Sequence, residues 1–135
     1  MSLLSDLRIL YHLALRPVRG KNHAERMENF YSGQANAYDD FRRRLLHGRE
    51  ELYRQIACPE KGVWVDLGGG TGSNLEFIRD RVPALGQAYV VDLSTSLLEV
   101  ARRRFADSGW KHVQAVEADA TSWQPPEGQA DVVTF

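Results

Sequence analysis

Residues 63–74 read VWVDLGGGTGSN, and this stretch decides the fold. Val63–Leu67 is a short run of β-favouring residues, and four of the next five residues are glycine. Glycine lets the backbone turn sharply and approach a ligand closely. Residues Ser73–Val82 predict a helix, capped by Thr71 or Ser73, whose first amides point at the turn. The pattern is typical of a strand, loop and helix that bind a nucleotide.

The chain continues after this unit as alternating strand and helix patterns. We expect strands at Ala88–Asp92, His112–Glu117 and Asp131–Phe135, and a helix over Thr95–Ser108 capped within Ser94–Ser96. Nearly continuous apolar strands that alternate with helices predict an α/β fold with a Rossmann-like, doubly wound parallel sheet. Such a sheet has two halves, whereas this sequence ends within its fourth strand. We therefore expect the C-terminal strands to be missing and the chain to be a fragment.

Helical patterns fill the region before the first strand. Apolar residues at three- and four-residue spacing predict helices over 3–16, Ala24–Tyr31 and Ala35–Ala57. We therefore divide the chain into an N-terminal helical region, residues 1–58, that covers a cofactor, and the first half of a nucleotide-binding domain, residues 59–135.

The charge of the chain is unevenly distributed, although its net value is only −1 at pH 7. Residues 1–58 contain ten Lys and Arg against seven Asp and Glu, and the remainder contains seven against eleven. A basic N-terminal region favours an anionic partner on that side. The apolar and basic residues within 1–23 fit peripheral contact with an anionic membrane, and a helix that docks on its own domain or on a partner fits equally well.

Several classes of protein are excluded by composition. A single cysteine, Cys58, rules out an internal disulfide framework and fits a reducing compartment. No apolar run approaches the roughly 18 residues of a membrane span, and no signal-peptide pattern is present. We expect a cytoplasmic protein, at most peripheral on the inner face of the membrane, without a metal site and without a nucleic-acid partner.

The spacing of the glycines separates two classes of nucleotide site. The motif consists of Asp66, Gly68, Gly69, Gly70, Thr71 and Gly72. Dinucleotide dehydrogenases would need a third glycine at position 73, which is serine. The observed pattern resembles the first motif of class I S-adenosylmethionine-dependent methyltransferases, which implies that the loop packs against the methionine part of that cofactor. A glycine turn without any ligand is the less favoured alternative.

Acidic residues follow the second and third predicted strands. Asp92 lies 20 residues after Gly72 and suits a ribose diol, with Leu93 against the adenine face. The methyltransferase resemblance implies that Asp119 accepts a hydrogen bond from the adenine amino group, with the Ala120 amide nearby. A helix-capping carboxylate at Asp92 and a solvated loop acid at Asp119 are the alternatives.

Two tyrosines precede the glycine loop. The segment Phe30–Asp39 resembles the Tyr-Asp helix that covers the cofactor in many small-molecule methyltransferases. The resemblance implies that a tyrosine hydroxyl bonds the methionine carboxylate, with Tyr38 as the best match and Tyr31 as the second. Aromatic packing of either ring against the sheet is an equally good alternative.

A narrower resemblance covers residues 30–135. Its segments are Phe30–Asp39, Arg44–Glu50, Val65–Gly72 and Val91–Ser94. Together they are similar to the BtaB-type methyltransferase of betaine-lipid synthesis, and Arg44–Glu50 points to this branch. The resemblance implies trimethylation of the amine of diacylglyceryl-homoserine, which gives diacylglyceryl-trimethylhomoserine.

No residue identifies itself as the catalytic base. Methyl transfer to nitrogen requires a deprotonated amine, and His47 and Tyr38 are candidates by chemical type alone. Arg42–Arg44 forms a solvated face or holds a substrate carboxylate, and Arg102–Arg104 forms a charged surface away from the ligand crevice. A methyltransferase with a soluble acceptor and an inactive, truncated cofactor-binding module remain alternatives, and a dehydrogenase is the weakest.

Overall fold

A four-stranded parallel sheet forms the centre of the computed structural model, which describes residues 7, 10, 11, 15, 17–32 and 35–135. The strands are β1 (Val63–Leu67), β2 (Gln87–Asp92), β3 (Val113–Glu117) and β4 (Val132–Thr134). They lie in the order β3-β2-β1-β4, and every neighbouring pair is parallel. The predicted α/β fold with a parallel sheet is confirmed. The order reverses between β1 and β4, and sheets of this kind bind ligands beyond the carboxyl ends of the strands at such a point.

The helices pack around this sheet. They are α1 (His23–Tyr31), α2 (Ala35–Leu45), α3 (Arg49–Gln55) and α4 (Thr95–Asp107), with 3₁₀ helices at Ser73–Ile78 and Val82–Ala84. Asn22 caps α1, because its side chain accepts from the Glu25 N–H at 2.8 Å. Ser94 caps α4 in the same way through the Leu97 N–H, which confirms the cap predicted within Ser94–Ser96.

The single helix predicted over Ala35–Ala57 is wrong, because the chain breaks between α2 and α3. Gly48 adopts a left-handed conformation with φ of 84°. A right-handed helix cannot continue through that conformation. The apolar spacing is continuous on both sides of the break and therefore hid it.

The α-helix predicted over Ser73–Val82 is also wrong, because two short 3₁₀ helices replace it. Gly72 precedes the first of them with φ of 70°, and no side chain caps it. Pro83 lies in the second and has no N–H to donate, so a regular α-helical ladder cannot run through it.

The helix predicted over residues 3–16 lies largely outside the described residues, although Leu7, Leu10 and Tyr11 are helical. Within the described ranges, no helix is both long and apolar enough to cross a membrane.

The core holds the strand ends in place from both faces of the sheet. On one face Trp64 and Val90 pack with Leu98 and Phe105 of α4 and with the 3₁₀ helices, and all four of these side chains are buried. On the other face, Val65, Tyr89 and Val91 form a smaller cluster against Trp123. Burial of a leucine such as Leu98 stabilises the fold by about 1.5–3 kcal/mol. The loop that follows β1 therefore starts from a rigid base.

Candidate functional site

The glycine loop, residues 68–72, connects β1 to the first 3₁₀ helix at the carboxyl ends of β1 and β2. The N–H of Gly68 donates to the Val91 carbonyl at 2.7 Å, which ties the loop to the end of β2. Gly68, Gly70 and Gly72 have φ values of 66°, 56° and 70°. Residues that carry a side chain rarely adopt this left-handed backbone conformation, so the backbone requires glycine at these three positions.

The loop glycines differ in what surrounds them. A Cβ at Gly69 would lie 2.7 Å from an Asp66 carboxylate oxygen, and one at Gly72 would lie 2.7 Å from the Phe105 ring. A Cβ at Gly68 would meet no atom within 4 Å beyond its own residue and its two chain neighbours, and Gly68 is exposed. The loop thus packs tightly beneath and keeps one open face at Gly68, where a ligand can approach the backbone.

Asp66 lies beneath the loop and is only 1% exposed. Its carboxylate accepts hydrogen bonds from Thr134 Oγ1 at 2.7 Å and from Asn74 Nδ2 at 3.0 Å. Tyr53 donates a longer bond of 3.4 Å. Burial raises the pKa of the Asp66 carboxyl, while these three donors act in the opposite direction. In this structure the predicted cofactor residue Asp66 therefore bonds protein groups that support the loop.

The sequence pattern does not indicate the partners of Asp66. Asn74, which donates to Asp66, also accepts a hydrogen bond from Arg49 of α3 through its side-chain oxygen. Burial and the neighbouring Arg42 lower the pKa of the Arg49 guanidinium, which also lies over the Phe77 ring. A chain of polar contacts therefore joins α3 to the end of β1. Arg49 belongs to the Arg44–Glu50 segment singled out in the sequence, which is the one signal that pointed to it.

Asp92, at the end of β2, lies against the glycine loop. One carboxylate oxygen accepts from the Gly70 N–H at 3.0 Å, and the other accepts from the Ser94 N–H at 2.9 Å. Because a carboxylate offers about four acceptor positions, two remain for hydroxyl donors. Leu93 follows it and is half-buried. The structure thus places the predicted ribose residue at the loop.

The two predicted tyrosines come together near Asp92. The rings of Tyr31 and Tyr38 meet edge to face with centroids 5.1 Å apart, and both side chains are half-buried. Burial raises the pKa of Tyr31, and a hydrogen bond with Tyr38 and the charge of Asp92 add to this effect. The Arg42 guanidinium lies over the Tyr38 ring at 5.4 Å. Helices α1 and α2, which we call the covering helices, thus bring both tyrosines to the predicted site.

Asp119 and Ala120 follow β3 at the same edge of the sheet. The Ala118 N–H donates to the Asp92 carbonyl at 3.0 Å, so the two strand ends are adjacent. Asp119 is exposed and accepts from the N–H and the hydroxyl of Thr121 at 2.8 and 2.6 Å. These bonds lower the pKa of Asp119. The adenine roles of Asp119 and Ala120 stay predictions.

Glu28 fastens α1 to the start of α4. Its carboxylate accepts from the Ser94 hydroxyl at 3.0 Å and from the Ser96 N–H at 3.1 Å, and the Ser96 hydroxyl also donates to it. Desolvation alone would raise the pKa of Glu28, but the bonds from Ser96 and Ser94 outweigh it, so the pKa lies below its usual value. A negative side chain also suits a helix N-terminus.

Asp39 fastens α2 to the glycine loop. Its carboxylate accepts from the Thr71 hydroxyl and pairs with Arg104 of α4 at 2.5 Å. Arg104 also donates to the Thr71 carbonyl at 3.0 Å. The prediction that Arg102–Arg104 is only a surface away from the crevice is wrong for Arg104. Arg102 and Arg103 are exposed, as expected, because their side chains leave the helix on other sides.

A cavity of about 400 Å³ lies beside α2 and α3. It is lined by Arg42, Leu45, Leu46, His47, Arg49, Leu52, Tyr53, Asn74 and Phe135. Cationic and apolar side chains share its wall, and Tyr53 and Asn74 connect it to Asp66 at the end of β1. His47, a candidate base, lines this cavity rather than the surface of the glycine loop.

Known proteins lead to the same assignment as the geometry. A family model described as a methyltransferase domain matches residues 65–135. The chain belongs to this methyltransferase domain family. Together with the fold, the match makes it a class I domain whose cofactor is S-adenosylmethionine, and it favours this assignment over the dehydrogenase alternative.

Curated relatives of the methyltransferase domain include quinone-pathway enzymes. The chain is 29% identical over 137 residues to the ubiquinone/menaquinone biosynthesis C-methyltransferase UbiE of Pseudomonas savastanoi pv. phaseolicola. This alignment covers 97% of the chain and 54% of the relative. The chain is 30% identical over 130 residues to the protein of that name from Ectopseudomonas mendocina, which covers 92% and 51%. The chain spans about half the length of the curated relatives it matches.

Solved structures share the fold of the methyltransferase domain. A methyltransferase from Thiobacillus denitrificans, in complex with S-adenosylhomocysteine, has a TM-score of 0.53 and 26% identity, over 65% of this chain and 35% of that one. One from Aquifex aeolicus has a TM-score of 0.59 and 19% identity, over 76% and 54%. The second similarity supports the fold alone.

Proposed function

We propose that this methyltransferase domain transfers the methyl group of S-adenosylmethionine to an acceptor held beside the covering helices. The observation that carries the proposal is the open face of the glycine loop at Gly68, with Asp92 and the Tyr31–Tyr38 pair close by. A glycine loop that leaves open space beside Gly68 suits a ligand that approaches the backbone closely.

Each part of the cofactor has a candidate partner in this arrangement. The ribose hydroxyls donate to the acceptor positions that remain on Asp92. The adenine lies against Leu93, with Asp119 and Ala120 at its edge. The methionine carboxylate meets the hydroxyls of Tyr31 and Tyr38.

The acceptor lies in the cavity beside α2 and α3. Its wall combines Arg42, His47 and Arg49 with exposed leucines of the same segment, so it suits an amphiphile with an anionic group. Diacylglyceryl-homoserine carries a carboxylate next to its amine and fits this description. We therefore propose amine methylation of this lipid as the specific reaction, as the betaine-lipid resemblance implies.

The chain's own groups would position the acceptor and manage its proton. Bound S-adenosylmethionine supplies an activated methyl group on its sulfonium. The arginines pair with the acceptor's anionic group and fix its amine at attack distance. A neutral amine is the reactive form, so an ammonium must lose a proton before each transfer. His47 as the neutral imidazole, or else Tyr38 as the phenolate, accepts that proton.

Methylation at carbon is a second candidate, because the curated relatives are C-methyltransferases that align with 97% and 92% of the chain. The apolar side chains of the cavity would then contact a quinone precursor, and the arginines would stabilise a deprotonated ring hydroxyl.

We also propose peripheral contact with an anionic membrane through residues 1–23. Leu7, Leu10, Leu15 and Val18 are 46–70% exposed, and basic residues surround them in the sequence. Sedimentation with phosphatidylglycerol vesicles tests this. Binding that Leu7→Glu with Leu15→Glu abolishes supports it. Equal sedimentation of both proteins contradicts contact through these leucines, and no sedimentation of the wild type favours a soluble acceptor.

Radiolabel transfer tests the reaction itself. The chain is incubated with S-adenosylmethionine labelled in the methyl group and with either diacylglyceryl-homoserine or a menaquinone precursor that lacks the ring methyl group. Label in the first lipid, lost in Arg49→Ala, supports amine methylation, and label only in the second supports methylation at carbon. Calorimetry with S-adenosylhomocysteine and NAD runs beside it. Cofactor binding without any transfer favours a binding module, and binding of NAD alone contradicts the proposal.

A further inference from the structure

Arg104 occupies an unusual position for a residue in a run of three arginines. Its side chain and that of Asp39 are only 20% and 16% exposed. Each of its three guanidinium nitrogens has a different partner: Nε donates to the Thr71 carbonyl, Nη2 to Asp39 and Nη1 to Glu76. The planar, multiple-donor geometry of arginine suits this role, and lysine cannot reproduce it.

The contacts of Arg104, Asp39 and Thr71 close a ring. The Thr71 hydroxyl donates to one oxygen of Asp39, Arg104 donates to the other, and Arg104 also holds the Thr71 carbonyl. The ring therefore joins three separate elements, namely α2, the glycine loop and α4. Tyr38 directly precedes Asp39 in α2, so whatever fixes Asp39 also fixes the backbone from which the Tyr38 side chain extends.

We propose that Arg104 is a positioning residue that holds α2 on the glycine loop and thereby places Tyr38 over the methionine end of the cofactor. The proposal deepens the proposed function and rests on its binding mode. Arg104 acts through Asp39 and Thr71 and does not itself touch the ligand. Its bond to Glu76, at 3.4 Å, gives the guanidinium a second carboxylate partner besides Asp39.

The proposal predicts a difference between two ligands. S-adenosylhomocysteine has the amino-acid end that α2 would cover, and 5′-methylthioadenosine lacks it. Arg104→Ala should weaken the first at least tenfold and change the second less than threefold. Asp39→Asn should act similarly, and the double variant should bind no more weakly than the worse single variant, because both substitutions open the same ring.

Calorimetry with both ligands is the test, with Arg103→Ala as the matched control on the same helix. Arg104→Lys keeps the charge and should recover only part of the affinity. Equal losses for both ligands, or no loss for either, would overturn the proposal.

Hydrogen exchange in the unliganded chain provides a readout that does not need binding. The amides of residues 35–45 should exchange faster in Arg104→Ala than in the wild type or Arg103→Ala, and unchanged exchange also overturns the proposal. A wild type that binds neither ligand while Arg104→Ala loosens α2 contradicts the proposed function and leaves the role of Arg104 in place.

Discussion

Alanine at two positions of the glycine loop should separate stability from cofactor binding. Gly68 and Gly72 share nearly the same left-handed φ, 66° and 70°, so alanine costs about 1–2 kcal/mol of conformational strain at either. Part of this is offset, by about 0.4–1 kcal/mol, because alanine restricts the unfolded chain. At Gly72 the new Cβ lies 2.7 Å from two atoms of the Phe105 ring, and overpacking adds about 1–3 kcal/mol.

We therefore expect Gly68→Ala to lower the free energy of unfolding by about 1 kcal/mol and Gly72→Ala by about 2–4 kcal/mol. Urea unfolding followed by tryptophan fluorescence measures both. Ligand binding should reverse the order, since the Cβ at Gly68 enters the open space assigned to the cofactor. A loss of affinity for S-adenosylhomocysteine of tenfold or more, about 1.4 kcal/mol, is expected for Gly68→Ala by calorimetry. Wild-type affinity in that variant would refute the assignment of this face.

Three further changes test other parts of the site. Asp92→Asn should weaken S-adenosylhomocysteine by about ten- to a hundredfold in calorimetry, since hydrogen bonds to charged groups contribute about 1.5–3 kcal/mol; unchanged affinity would remove Asp92 from the ribose site. Thr134→Val should lower the free energy of unfolding by about 1–3 kcal/mol, with Thr121→Val as an exposed control. Burial raises the folded pKa of Asp66, and the Thr134 bond opposes this shift. At low pH, protonation of Asp66 removes the buried charge that the variant can no longer stabilise, so the loss of unfolding free energy should be larger at pH 8 than at pH 4. Equal losses at the two pH values would contradict the proposed role of Thr134. Glu28 has a lowered folded pKa, so its stabilisation is complete above its usual pKa and disappears as pH falls through the folded value. Glu28→Gln should therefore be less stable than the wild type in urea unfolding at pH 7, and the difference should shrink as the pH is lowered; a constant difference argues against it.

The strands and the glycine loop could be predicted because their signals are local. The strand Val63–Leu67 is predicted with the same ends as in the structure. The loop could be predicted because its backbone requires glycines, which are visible in the sequence. The Ser94 cap is equally local. Gly48 was a visible break, but the apolar spacing on both sides of it outweighed a single glycine in the prediction.

Most supports of the site could not be predicted, because they depend on contacts between distant residues. Asp66 meets a donor 68 residues away in Thr134, and no local pattern marks such a pair. Arg104 is the exception: it lies three residues after buried Ala101 and seven after buried Leu97, so it shares their helix face. Helical periodicity therefore distinguishes it from Arg102 and Arg103, which the run of identical residues conceals.

The bond between Thr134 and Asp66 also sets an order of events during synthesis. The glycine loop leaves the ribosome early, but the hydroxyl that supports its neighbouring carboxylate belongs to β4, whose pairing with β1 is among the most distant in the chain. Contacts of such long sequence separation form late because of the entropy of loop closure. A nascent chain that has emerged only through β3 therefore contains the whole glycine loop but lacks the Thr134 hydroxyl that bonds Asp66. Cofactor present at that stage would meet a loop without this support.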